Sequence, residues 1–159
     1  MENLNKQNKM NAQTIIIPEF NKAGKKNRYL SNVDGMNELP KNCIFNKALT
    51  GVGGTYLAIN EQNHTVICVP FKEMIKSKLE DNKEMFAVQA GVSIKKIVKY
   101  LNKQIDTNKL IKIISTYDGL CKIIEAMNSM INLVDDKPLI ESINLLIDEY
   151  HLLFTQYCL

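Results

Sequence analysis

The sequence predicts an α/β fold in which a mainly parallel β-sheet is flanked by helices. Two observations carry that expectation. From residue 42 onward, short apolar runs alternate with longer amphipathic segments. Several of the runs are rich in Val, Ile and Cys with little polar alternation, the mark of strands covered on both faces. Strand and helix in regular alternation build a parallel sheet with helices on both sides.

Taken in order, the expected strands are "CIFNKAL" (43–49), "TVICVP" (65–70), "MFAVQAG" (85–91), "IKIIST" (111–116) and "INLLID" (143–148). Between them, "GTYLAINE", "FKEMIKSKLEDN", "SIKKIVKYLNKQ" and "YDGLCKIIEAMNSMINLV" carry apolar residues at three-and-four spacing, the period of a half-buried helix. In the third, Ile94, Ile97, Val98 and Leu101 form one stripe, and Ser93 is placed to cap it. Lys95, Lys96, Lys99 and Lys103 fall mostly outside that stripe and read as a solvated face rather than a nucleic-acid patch. "DDKP" (135–138) reads as a turn before the last strand, with Pro138 blocking a helix.

Upstream, residues 1–13 are polar and Asn/Lys-rich, the composition of a disordered tail. Residues 14–41 form an N-terminal extension. Its "TIIIPEF" fits an edge strand ended by Pro18, and the basic, turn-rich stretch that follows has room for one helical turn. Residues 42–159 make up the main lobe.

Composition narrows the function classes. The 159 residues, 45% hydrophobic and 23% charged, fit one globular domain with a real core. A net charge of +3 is too small to identify a polyanionic partner by itself. Arg28 is the only arginine, so an arginine finger would have to come from elsewhere. Cys43, Cys68, Cys121 and Cys158 lie far apart without a CxxC pair, which argues against zinc. They read as buried, reduced thiols. The first residues lack the apolar core of a signal peptide, and no run approaches the roughly 18 apolar residues of a membrane span, so a cytoplasmic location is expected.

Ligands of a parallel α/β sheet bind beyond the carboxyl ends of its strands, so the residues after each strand are informative. After the first comes "TGVGGT", residues Thr50, Gly51, Val52, Gly53, Gly54 and Thr55. Its glycines let the backbone curl, its free N–H groups can hold phosphate oxygens, and Thr55 stands where a hydroxyl coordinates Mg²⁺. The last strand ends in Asp148 and Glu149. In nucleotide hydrolases the first such acid holds Mg²⁺ and the next polarises the attacking water. Each feature also has a plainer reading: an ordinary glycine turn, a strand ending in solvated acids, and His151 as a loop histidine. Their occurrence together in one chain points to a nucleotide.

The order of these motifs resembles the first motor domain of superfamily 2 DEAD/DEAH-box helicases, over about residues 40 to 157. Ala48, Thr50, Gly51, Gly53 and Thr55 match that family's A-x-T-G-x-G-K-T, with Gly54 in place of the lysine. "VICVPFKEMIKSK" keeps the proline of the motif after the second strand, Pro70, with Phe71 where threonine is usual. "STYDGL" is similar to the segment that touches the nucleic-acid backbone through Thr116, and "DEYH" matches motif II at Asp148, Glu149 and His151. There is also a looser likeness to helicase-like phage proteins, which suggests a bacterial or phage-infected host cell.

The resemblance implies a P-loop NTPase (RecA-like) fold. It implies ATP held by residues Thr50 to Thr55, Mg²⁺ held by Thr55 and Asp148, and catalysis by Glu149 with His151. It further implies DNA or RNA contacted through Pro70 and Thr116, and a second RecA-like lobe supplied in cis or in trans. Two departures matter. Gly54 removes the charge that bridges the terminal phosphates, and the chain stops just past motif II, as an incomplete lobe would. The alternatives are a catalytically inactive helicase-fold domain that binds nucleic acid or protein, and a different P-loop enzyme such as a small-molecule kinase.

Overall fold

The structure is a computed structural model that describes residues 19–20, 22–24, 26, 28–42, 51–130, 133–134 and 137–149. Helix α1 (Gly54–Asn60) leads into strand β1 (His64–Val69), and α2 (Lys72–Asp81) into the short β2 (Phe86–Val88). Then come α3 (Ile94–Asp106), β3 (Lys112–Thr116) and α4 (Tyr117–Asn128). A small antiparallel pair, β4 (Leu133–Val134) with β5 (Lys137–Pro138), and a 3₁₀ turn at Leu139–Ser142 precede β6 (Ile143–Ile147). Among the described residues the fold is α/β: four parallel strands in the order β2-β3-β1-β6, with helices on both faces.

That order explains which helix covers which face. From β1 the chain moves out past β3 to β2, then reverses, returning to β3 and crossing β1 to β6. Parallel crossovers keep one hand, so a reversal of direction puts the later helices on the opposite face. The packing agrees. Val66 and Cys68 of β1 join Ile97 and Leu101 of α3 and Ile123 and Met127 of α4 in one cluster. Their neighbours Ile67 and Val69 point the other way, to Ala58 and Ile59 of α1 and Ile75 of α2. This period of two, with both faces apolar, is why "TVICV" reads as a buried central strand.

The helices start and stop for local reasons. Ser93 caps α3 by accepting from the backbone N–H of Lys96. Asn108, at φ +50°, ends the same helix in the left-handed conformation that Asn tolerates, and the Lys109 N–H closes on the Gln104 carbonyl. Ile97 and Leu101 are fully buried and the four lysines of that helix are exposed, as expected from the stripe. At the opposite end of the sheet from the strands' carboxyl termini, Lys112 of β3 reaches α1. Its ammonium donates to the carbonyls of Ala58 and Glu61 and to the Thr65 hydroxyl. Burial lowers the Lys112 pKa, and the neighbouring Glu61 carboxylate opposes that shift. A cation is favourable at the last carbonyls of a helix, so this contact holds the far end of α1 on the sheet.

Several expectations need correction. The fourth helix ends at Asn128 and does not continue through 134, since Ser129 closes its last turn and Leu133–Val134 pair with β5. Strand β2 has only three residues. Strand β6 is half-buried, with Leu145 49% exposed, so it is not covered on both faces like β1. Cys68 is buried as expected, but Cys121 is exposed on α4. The expected strand at 43–49, Cys43, Cys158 and the 14–18 part of the apolar island lie outside the described residues. Among the described residues, no helix is long and apolar enough to cross a membrane.

The two cysteines differ enough to test the packing chemically. Burial pushes the Cys68 thiol up to about 12, leaving almost no thiolate near neutrality. Alkylation by iodoacetamide at mildly alkaline pH, mapped by peptide mass, is expected to label Cys121 quickly and Cys68 only on unfolding. Early labelling of Cys68 would contradict the core described above.

Candidate nucleotide and nucleic-acid site

All four strands of the sheet run the same way, so Val69, Val88, Thr116 and Ile147 end at one edge. The glycine loop comes to that edge. Gly51 and Gly53 have φ of +73° and +83°, which only glycine adopts without strain. Gly53 sits just ahead of α1, and Gly54 is its first residue, outside the positive-φ group. A turn built on positive φ at alternate residues faces successive N–H groups into one concavity, the geometry that suits an anion.

Thr55, the second residue of α1, is buried, and its hydroxyl donates to Oδ2 of Asp148 at 2.6 Å. The two residues are 93 apart in sequence. Asp148, 9% exposed, is fixed from other sides as well. Its N–H donates to the Cys68 carbonyl of β1, and its Oδ1 accepts from the Glu149 N–H at 3.1 Å. Glu149 follows at φ +55°, a left-handed conformation that costs a non-glycine residue about 1–2 kcal/mol. Strain of that kind persists where surrounding contacts over-determine it.

Those contacts include Tyr117. Its hydroxyl donates to the Asp148 carbonyl at 2.6 Å and lies 2.9 Å from the Glu149 carbonyl. Tyr117 opens α4 directly after Thr116, beside a cleft of about 280 Å³. Pro70 and Phe71, from the loop after β1, form the other wall of that cleft with Lys72. Thus Pro70 and Thr116 share one surface, with Phe71 49% exposed beside them. A shallower groove of about 570 Å³ follows α3 past Lys95, Val98, Lys99 and Asn102, and it touches none of these residues.

Gly51, Val52, Gly53, Gly54, Thr55, Asp148 and Glu149 therefore gather at one edge, through the Thr55–Asp148 bond. Thr50 and His151 lie outside the described residues. Three features had no signal in the sequence. Leu30, read only as part of a connection, is 2% exposed and donates its N–H to the Val52 carbonyl, so the extension is tied to the glycine loop. Tyr29 lies against Gly53, where a side chain on the glycine would meet its ring at 3.7 Å. The third is Tyr117, whose partners are 31 and 32 residues away. No family model, curated protein or solved structure matches the chain.

Proposed function

We propose that the chain is the nucleotide-binding lobe of a RecA-like P-loop NTPase of the DEAD/DEAH-box helicase type, remodelling DNA or RNA when a second lobe closes on it. The Thr55–Asp148 hydrogen bond carries this reading. It joins a glycine loop and an acid pair, the two features that separately admit plainer explanations.

The donors fit magnesium. A hydroxyl and a carboxylate are hard oxygen donors, and here they meet in a buried position. Among the described residues no cluster of three His, Cys, Asp or Glu side chains forms. Magnesium at a nucleotide site needs only one or two carboxylates, because phosphate oxygens and water complete its shell. Bound there, the ion would offset the charge of the terminal phosphates. The loop N–H groups would hold the phosphates, Glu149 would orient the attacking water, and Pro70 and Thr116 would meet a nucleic-acid backbone.

Gly54 limits this chemistry, since no lysine reaches the terminal phosphates from the loop. The same glycine favours the second reading, a helicase-fold domain that binds nucleic acid or protein without catalysis. Calorimetric titration separates the two. The isolated chain is expected to bind Mg·ATP weakly, with Kd on the order of 0.1–1 mM, and to show no turnover. No heat at millimolar nucleotide would remove the nucleotide reading. Turnover that Glu149→Gln abolishes would overturn the expected inactivity.

A further inference from the structure

We infer that Lys112, acting with Glu61 and Asn144, is a positioning residue for the magnesium site at the opposite edge of the sheet, holding α1 where Thr55 meets Asp148. The inference rests on the function proposed above and deepens it, by naming what sets the geometry of the Thr55–Asp148 pair.

Helix α1 is fastened to β6 at both ends. At its start Thr55 donates to Asp148. At its C-cap, Glu61 Oε1 accepts from Nδ2 of Asn144 at 3.3 Å. The helix therefore runs antiparallel to β6, and its seven residues span about 10 Å between the two ties. The rear tie is built into the sheet. The Lys112 ammonium has three N–H donors, and all are engaged: the Ala58 carbonyl at 3.2 Å, the Glu61 carbonyl at 2.8 Å and the Thr65 hydroxyl at 3.1 Å. Glu61 is 7% exposed and Thr65 1%. One cation thus joins the last turn of α1 to β1 and β3, while Asn144 joins it to β6. Ahead of the helix stand Gly51, Gly53 and Gly54, whose backbones restrain its direction least. A short helix held at one end pivots there, so loosening the rear tie re-aims the Thr55 hydroxyl and the loop N–H groups together.

The test is a double-mutant cycle in the 159-residue chain, with the Kd of Mg·ATPγS measured by NMR titration and Tm as the control for folding. Lys112→Met removes the three donors and Asn144→Ala only the tie to β6, and each is made alone and with Thr55→Ala. Tyr100→Phe is the control, because it removes a hydroxyl from the Lys112 backbone without touching α1. We expect Lys112→Met and Asn144→Ala to weaken wild-type binding by about threefold to tenfold. Once Thr55 is gone, each changes it by less than about twofold, and Tyr100→Phe keeps the wild-type Kd. A merely structural role would lower affinity equally in both backgrounds. Three results would overturn the link while leaving the nucleotide site standing: equal losses with and without Thr55, an equal loss in Tyr100→Phe, or wild-type affinity in a folded Asn144→Ala protein. The last two apply even where Lys112→Met does not fold. Failure of wild type to bind Mg·ATPγS at all would remove the nucleotide reading, and this link with it.

Discussion

Gly54→Lys is expected to strengthen Mg·ATP binding by about tenfold or more, because each recovered charge-assisted bond contributes roughly 1.5–3 kcal/mol. The backbone permits the change. Positive φ in this loop belongs to Gly51 and Gly53, whereas Gly54 is the first residue of α1. Lysine is a better helix former than glycine by up to about 1 kcal/mol, so conformation does not oppose the substitution. The Gly54 backbone is itself buried, and the added stem must find room, so thermal stability is measured beside affinity. A variant that folds as well as wild type yet binds ATP no more tightly would mean that the loop is an ordinary glycine turn. The non-catalytic binding domain would then be the better reading.

Gly119→Ala is expected to lower stability by about 1–3 kcal/mol, the usual cost of overpacking a well-filled core. For a chain of this size that corresponds to a drop of about 2–12 °C in Tm. Alanine normally favours a helix over glycine, so the sign of the effect is informative. A β-carbon at Gly119 would collide with the Ser115 hydroxyl and crowd the Val88 carbonyl. That hydroxyl is buried and donates to the same carbonyl at 2.9 Å. Relief requires Ser115 to rotate away and give up that hydrogen bond. Thermal melts that show Gly119→Ala at or above the wild-type Tm would contradict the close approach of α4 to β2 and β3.

Gly119 also illustrates what the sequence hides. "STYDGL" reads as a loop-to-helix junction, but nothing local says that its glycine is required by a serine one turn earlier and a carbonyl on another strand. Tyr117 and Leu30 were hidden for the same reason: their partners lie at Asp148, Glu149 and Val52, and no period connects such positions. Strands β1, β3 and β6 were legible because an apolar run bounded by turns is a local signal. The weaker β2 kept only its Phe86–Val88 centre, and β4 and β5, at two residues each, are too short to leave any pattern. Of the candidate site, the gathering of Thr55 and Asp148 could be anticipated, because parallel strands send all their following loops to one edge. Their direct hydrogen bond could not.

Thr55 and Asp148 are proposed to form the magnesium-binding part of a nucleotide site. Asp148→Asn tests it most directly, because the amide has the size of the carboxylate and, with its oxygen kept on the Glu149 N–H, can donate its NH2 to the Thr55 hydroxyl while losing the charge. ATP is titrated into wild type and variant with and without Mg²⁺, with Tm as the control for folding. Weak wild-type binding that requires Mg²⁺ is expected, falling by about tenfold or more in Asp148→Asn, at nearly unchanged Tm. Binding of equal strength in both proteins, or binding indifferent to Mg²⁺, would contradict it.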